Sequence, residues 1–381
     1  MLIEIKKLKS HIILGLIIIG IFLPSSMNGD TFRMLYPVFN TILAISILIL
    51  SIRQFNFYRS LLVLFIILFL IVNTILTNFT QYQFGTLLII IPLLFYFSID
   101  LKEIDTKIYI KYLNLVSIIL FILGFGVIFN IEMINNFLSA SYVTSFTDLY
   151  KYMLSGNRPV GPFGSHSIAA FMYFTFFIIY YVLWLKSKYL LYLIISIIYV
   201  LFILELKSFS ALFFIIFSIV TIINSKFLLK KINIQFFIIN ISILVIIFLL
   251  LNSFIDVTSI LSGSDTNGLL SRYGPNGVLN NSIDYLEGNL FMGDGIGYVK
   301  ELVYTDSGYI HNLLIYGISG TIIFYITFYM CFLEKKFTYI FIMLIAFLFF
   351  EIGYDIFFYT RTIYVLLLIT YFIQVEQTWK N

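Results

Sequence analysis

DSGYIHNLLIYGISGTIIFYITFYMCFL, residues 306–333, decides how this chain is read. A polar start ends at His311 and Asn312, and from Leu313 to Leu333 no charged residue follows. An α-helix rises about 1.5 Å per residue, so an apolar run of this length matches a hydrocarbon core about 30 Å thick. The stretch reads as a membrane-spanning helix over 310–333 with a histidine at its lip. The chain has only three histidines, so the position of this one calls for a reason.

Working outward, the same pattern recurs along the chain. Of 381 residues, 61% are hydrophobic and 11% charged. A soluble domain is about half apolar and a quarter charged. The expected fold is therefore all-α and polytopic, with about twelve spans. They centre on 11–27, 34–52, 60–77, 84–99, 112–131, 166–185, 189–206, 208–224, 234–253, 310–333, 337–353 and 362–376. The basic start MLIEIKKLKS followed by the apolar stretch His11–Leu23 could form a signal peptide. A first helix that stays is the better reading, because the rest of the chain is equally apolar. The single cysteine, Cys331, excludes an internal disulfide and a Cys-rich metal site.

Lys and Arg set the orientation. With the N-terminus in the cytoplasm, sixteen of the 23 bases fall in cytoplasmic segments and seven outside. Both ends are then expected on the cytoplasmic side. The division follows: a membrane domain over 1–253 with an outer loop at 132–165, a large outer loop over 254–309, and a membrane domain over 310–381. The large loop carries nine glycines and seven acids. Within it Val278, Leu279, Ile283, Leu286 and Leu290 fall at helical spacing, which predicts a short amphipathic helix ended by the Gly-rich tail.

On the outer side three residues stand out. Arg158 in GNRPVGPFGSHSIAA (156–170) precedes prolines and glycines that cannot form regular helix. Such backbone is tolerated beside a span where it lines a cavity or is buried in protein. Its guanidinium either grips a phosphate bidentately or snorkels to headgroups. Arg272 in LLSRYGPNG (269–277) is either a second grip or a solvated loop residue. His311 caps a helix, sits at the interface, or acts as a base, since imidazole titrates near neutrality. His166, at the start of a span, and His11, on the cytoplasmic side, are weaker candidates. Asp284 and Glu287 lie one helical turn apart and read as a solvated face rather than a carboxylate pair. No P-loop, HExxH or GxSxG is present, and the glycines of MGDGIGY follow no strand.

Taken in order, these pieces resemble a known family. An Arg–Gly–Phe–Gly segment enters a central span; a short turn, LKSFSAL (206–212), follows; then comes a long outer loop. That loop contains SR (271–272) and NLFMGDGIGY (289–298), and HNLLIYGISG (311–320) opens the next span. The order is similar to the O-antigen polymerase (Wzy) and O-antigen ligase (WaaL) superfamily, and its specific part covers 157–170 and 271–320. The chain departs from that pattern with His166–Ser167 in place of Pro–Asn, no proline in NLFMG, and Lys207 before Ser208 rather than a base after the serine.

The resemblance implies a metal-independent glycosyltransferase that needs no cofactor. It would move glycan from an undecaprenyl-diphosphate-linked oligosaccharide to an acceptor hydroxyl at the outer membrane face. Arg158 and Arg272 would hold the diphosphate, His311 would orient or deprotonate the hydroxyl, and Asn312, Lys207 and Ser208 would support them. Gly317 and Gly320 would let helices pack closely behind the site. The implied partners are membrane lipid and a chain-length regulator; no nucleic acid is expected. Polymerase is the first reading and ligase the second. A lipid-linked glycan flippase is the reading from another class, weakened by spans nearly free of ionisable residues. A purely structural membrane scaffold is the bland one.

Overall fold

A computed structural model describes residues 2–25, 30–76, 81–99, 104–142, 147–227, 242, 274, 277–286, 289–298, 307–333, 337–353 and 360–378. The described part is almost wholly helical. In chain order the helices are α1 (Leu2–Phe22), α2 (Asp30–Leu50), α3 (Phe57–Leu76), α4 (Gln81–Leu94), α5 (Thr106–Ile128), α6 (Glu132–Ser141) and α7 (Thr147–Ser155). They continue with α8 (His166–Ser187), α9 (Leu190–Glu205), α10 (Phe209–Phe227), α11 (Val278–Tyr285), α12 (Gly308–Leu333), α13 (Phe337–Gly353) and α14 (Thr360–Thr378). Strand geometry among the described residues is confined to one isolated antiparallel bridge, Phe55 with Ile99.

Among the described residues four helices are long and apolar enough to cross a membrane: α3, α5, α8 and Gly308–Met330 of α12. Shorter apolar stretches are Leu35–Leu50, α9 and Thr360–Ile369. The expected span at 234–253 lies outside the described residues, apart from Ser242, as does most of the loop 254–309.

The chain forms two compact units that do not follow sequence order. Unit 1 comprises Met1–Val63, Phe84–Leu212 and Ile356–Asn381; unit 2 comprises Leu64–Gln83 and Phe213–Asp355. In unit 1, α8 is the buried centre. Its sequence is apolar on every face, as a helix enclosed by others must be. It packs on α9, on α14 and on a tight turn at 161–163, while α1 packs on α14, α2 and α5. Asp105 starts α5 by accepting from the backbone N–H groups of Lys107 (2.8 Å) and Ile108 (3.2 Å). One buried polar relay runs through unit 1: Tyr199 donates to Ser117 at 2.7 Å, Ser117 to Tyr180 at 2.9 Å, and Tyr180 to Asn114 at 2.9 Å.

Two elements differ from the sequence expectation. The outer segment 132–165, read as a connection, holds the short helices α6 and α7. The amphipathic helix ends at Tyr285, with Leu286 as its cap. Leu290 therefore lies in a separate turn and not on that helix.

Candidate functional site

In unit 2 the residues 289–298 and the start of α12 form one piece. Helix α12 is broken at Gly317, whose φ of 62° and ψ of −173° interrupt the hydrogen-bond ladder. The freed groups are met by the preceding loop. Ile318 N–H donates to the Leu290 carbonyl at 3.0 Å, and Ser319 N–H to Phe291 at 3.2 Å. In return Asp294 N–H donates to the Leu314 carbonyl at 2.8 Å. Asn73 donates to the Met292 carbonyl, and Ile296 N–H donates to the Thr74 hydroxyl at 3.2 Å. Any side chain at Gly317 would strike the backbone of Phe291 and Gly293. Gly317 therefore does not serve regular helix packing, the expectation from sequence; it admits a loop where the helix unwinds. At Gly320 an added carbon would meet Tyr316 of the same helix and Phe69 of α3. The loop is itself braced: Asn289 donates to the Asp294 carboxylate at 3.0 Å. Burial, and then the Asp294 charge, raise the Tyr285 phenol above its ordinary value.

His311 stands on the first turn of α12, half-buried. It does not cap the helix. Ser307 does, with its carbonyl accepting from His311 N–H at 3.0 Å and its hydroxyl facing Ile310 N–H at 3.5 Å. Asn312 is fully buried beside it. Its amide donates to the Tyr325 hydroxyl at 3.0 Å, and Tyr325 donates to the Glu351 carboxylate at 3.1 Å. The Asn312 carbonyl oxygen is buried and has no partner among the described residues. Glu351 is 0% exposed, and its carboxylate lies against Gly308, so closely that only glycine fits there. The positive end of α12 thus faces a buried acid. Sequence reading missed Glu351. The signal was available as the lone acid inside an apolar run, FIMLIAFLFFEIG (341–353).

Arg158, in unit 1, follows α7. Its N–H donates to the Met153 carbonyl at 3.0 Å, and Asn157 takes the left-handed position before it, with φ 55°. Its side chain is part-exposed and has no partner among the described residues. The Pro- and Gly-rich backbone after it is buried, one of the two settings that sequence allowed. Tyr173 donates to the Pro159 carbonyl and Tyr150 to Gly161, both at 2.7 Å.

Lys207 and Ser208 close α9. Lys207 holds the left-handed position, φ 56°, with its N–H on Leu204 at 2.9 Å, and Ser208 N–H reaches Ile203 at 3.5 Å. Lys207 is exposed and Ser208 buried, so both positions are accounted for by the turn. Arg272 lies outside the described residues. The structure thus brings His311 and Asn312 together in unit 2, and holds Arg158, Lys207 and Ser208 in unit 1. Of the other histidines, His11 Nδ1 is 3.2 Å from the Tyr112 hydroxyl, and His166 Nε2 is 3.4 Å from Ser167. Among the described residues no three His, Cys, Asp or Glu side chains gather as a metal cradle.

Arg361 is a second residue to which the sequence drew no attention. It is 4% exposed in unit 1. It donates to the Leu23 carbonyl at 2.8 Å and lies over the rings of Tyr142 (5.0 Å) and Tyr36 (5.9 Å). No family model, no curated protein and no solved structure matches the chain.

Proposed function

We propose that this chain is a polysaccharide polymerase of the inner membrane, working on lipid-linked repeat units at the outer face. One observation carries the reading. The two halves of the sequence pattern, 289–298 and 308–320, fold onto one another around Gly317, with His311 on the first helical turn above the break. Irregular backbone at the end of an apolar helix is found where it lines a site or is buried in protein.

In this reading the chain has about twelve spans with both termini in the cytoplasm, supported by the distribution of Lys and Arg. The acceptor hydroxyl of a lipid-linked repeat unit attacks the anomeric carbon of the growing glycan. The bond from that carbon to the diphosphate breaks, and undecaprenyl diphosphate leaves. His311 takes the hydroxyl proton, and the resemblance gives Arg158 and Arg272 as the residues that offset the charge growing on the leaving diphosphate. Asn312, tied through Tyr325 to Glu351, fixes the helix turn that carries His311. A chain-length regulator is the expected protein partner.

The test uses a strain lacking the gene, complemented with wild type or His311→Ala at matched membrane expression. Its lipopolysaccharide is then separated on a gel. A ladder with wild type and core plus one repeat unit with the variant supports polymerase. Bare core with accumulated lipid-linked polymer means a ligase. A full ladder from the variant removes His311 from the chemistry. The broken helix also suits a lipid-linked glycan flippase, because transporters bind substrate at discontinuous helices. Repeat units trapped on the cytoplasmic face of membranes from the deletion strain would favour that reading.

A further inference from the structure

We propose that Arg361 is the centre of a phosphate-binding site at one end of unit 1, taking a lipid-borne phosphate ester. The proposal rests on the preceding reading only where the lipid is taken to be the polyprenyl diphosphate donor.

A guanidinium offers five N–H donors and stays charged. Here Nη2 donates to the Leu23 carbonyl, while Nε is buried and has no acceptor among the described residues. Among those residues no carboxylate pairs with it. Placing an unpaired cation out of water is costly unless an anion and further hydrogen bonds offset it. One carbonyl and two tyrosine faces do so only in part.

Its neighbours among the described residues are neutral. Phe22 ends α1 and Leu23 follows it; Tyr142 donates to the Phe22 carbonyl at 2.8 Å. Ser25 N–H donates to the Ser141 carbonyl at 2.8 Å, which holds Ser25 between two contacts of Arg361, Leu23 on one side and Tyr142 on the other. The Ser25 hydroxyl is buried with no partner among the described residues, as is that of Thr362, the next residue along. Tyr36 shares a 2.7 Å hydrogen bond with Thr360, which opens α14. Three orphaned donors (Ser25 Oγ, Arg361 Nε and Thr362 Oγ1) therefore lie at the same end of the unit, where α14 starts and its backbone N–H groups add positive character. A bidentate oxyanion is the ligand that a guanidinium edge and hydroxyl donors accept together.

The experiment uses the full chain purified in neutral detergent, as wild type, Arg361→Lys and Arg361→Met. Affinity is read from intrinsic fluorescence and from the rise in Tm with three additives: farnesyl diphosphate, phosphatidylglycerol, and phosphatidylcholine as control. Farnesyl diphosphate, phosphatidylglycerol or both should raise the Tm of wild type more than phosphatidylcholine does. Arg361→Met should abolish the difference. Arg361→Lys, which keeps the charge and the reach to Leu23 but loses the fork, should bind about tenfold more weakly. A response to farnesyl diphosphate alone identifies the donor as the source; a response to phosphatidylglycerol alone identifies a headgroup. Equal shifts in wild type and variants, or no shift in wild type, would overturn the site and leave Arg361 as a cap for α1. If Arg361→Met does not fold, undiminished binding by Arg361→Lys overturns the proposal equally. His311→Ala should retain this binding. A loss of glycan transfer with intact binding, or the reverse, therefore separates failure of one proposal from failure of the other.

Discussion

Two buried ionisable side chains, Glu351 in unit 2 and Arg361 in unit 1, stand in opposite circumstances. Glu351 is fully enclosed yet served: Tyr325 donates to it, Asn312 supports Tyr325, and the start of α12 meets its carboxylate. Arg361 is enclosed with one carbonyl and two aromatic faces, and its Nε has no acceptor among the described residues. A satisfied buried charge holds structure in place; an unsatisfied one points to something that binds. The first is the framework under His311, and the second is suited to take an anion.

The strongest way to break this contrast is to destroy the frame around the acid. Gly317→Val forces a branched residue into the left-handed region and against the Phe291 backbone, at a cost of about 3 kcal/mol or more. Loss of the folded fraction in fluorescence-detected size exclusion is the expected result. A monodisperse variant would show that the loop does not need the break.

Next, Glu351→Ala should lower stability by about 3 kcal/mol, because Tyr325 and Asn312 lose their terminal acceptor. Glu351→Gln should lose less, since it keeps an acceptor and only the charge beside the helix start goes. Equal losses in thermal melts would mean that the charge, not the hydrogen bond, carries the effect.

A smaller effect sharpens the unit 1 side. Burial raises the Tyr150 phenol above its ordinary value, against the opposing pull of Arg361. A folded-state value above the unfolded one means stability is fully present below about pH 10 and falls as pH rises beyond it, since the unfolded chain releases the proton first. The midpoint of thermal unfolding should fall above about pH 10, and Tyr150→Phe should flatten that dependence. A flat profile in wild type would remove Tyr150 as the buried group behind that dependence.

The smallest effect concerns Lys207. Lys207→Gly relieves the left-handed strain and should raise stability by about 1 kcal/mol without changing glycan transfer. A loss of transfer would restore Lys207 to the site.

The elements were legible where periodicity is simple. Long apolar runs mark their helices within a few residues at most ends, and the polar DSG before His311 marks where α12 begins. Spacing alone failed where one signal served two purposes. Leu290 continues the pattern of α11 because it sits beside α12 in another way, through its carbonyl on Ile318. Gly317 reads from sequence as a packing glycine, since nothing local distinguishes a small residue between helices from a glycine that ends one. For the site, His311 and Arg158 drew notice because polar residues are rare beside spans. Glu351 and Arg361 escaped because their meaning lies in partners 26 or more residues away: Tyr325 for the acid, and Tyr36, Tyr142 and Leu23 for the base. Lys207 shows a second purpose that sequence did not reveal, since its backbone holds the left-handed position that closes α9.

The break at Gly317 bears on how the chain is made. Every backbone bond that bridges it runs to a carbonyl or N–H from Leu290 to Ser319. These pairings have low contact order, and nothing further along the chain is required to close them. During synthesis the kink can thus be imprinted as soon as Ser319 emerges, while α13 and its acid are still to come. The histidine's turn is shaped first, and Glu351 arrives afterwards as a lock on a geometry already chosen.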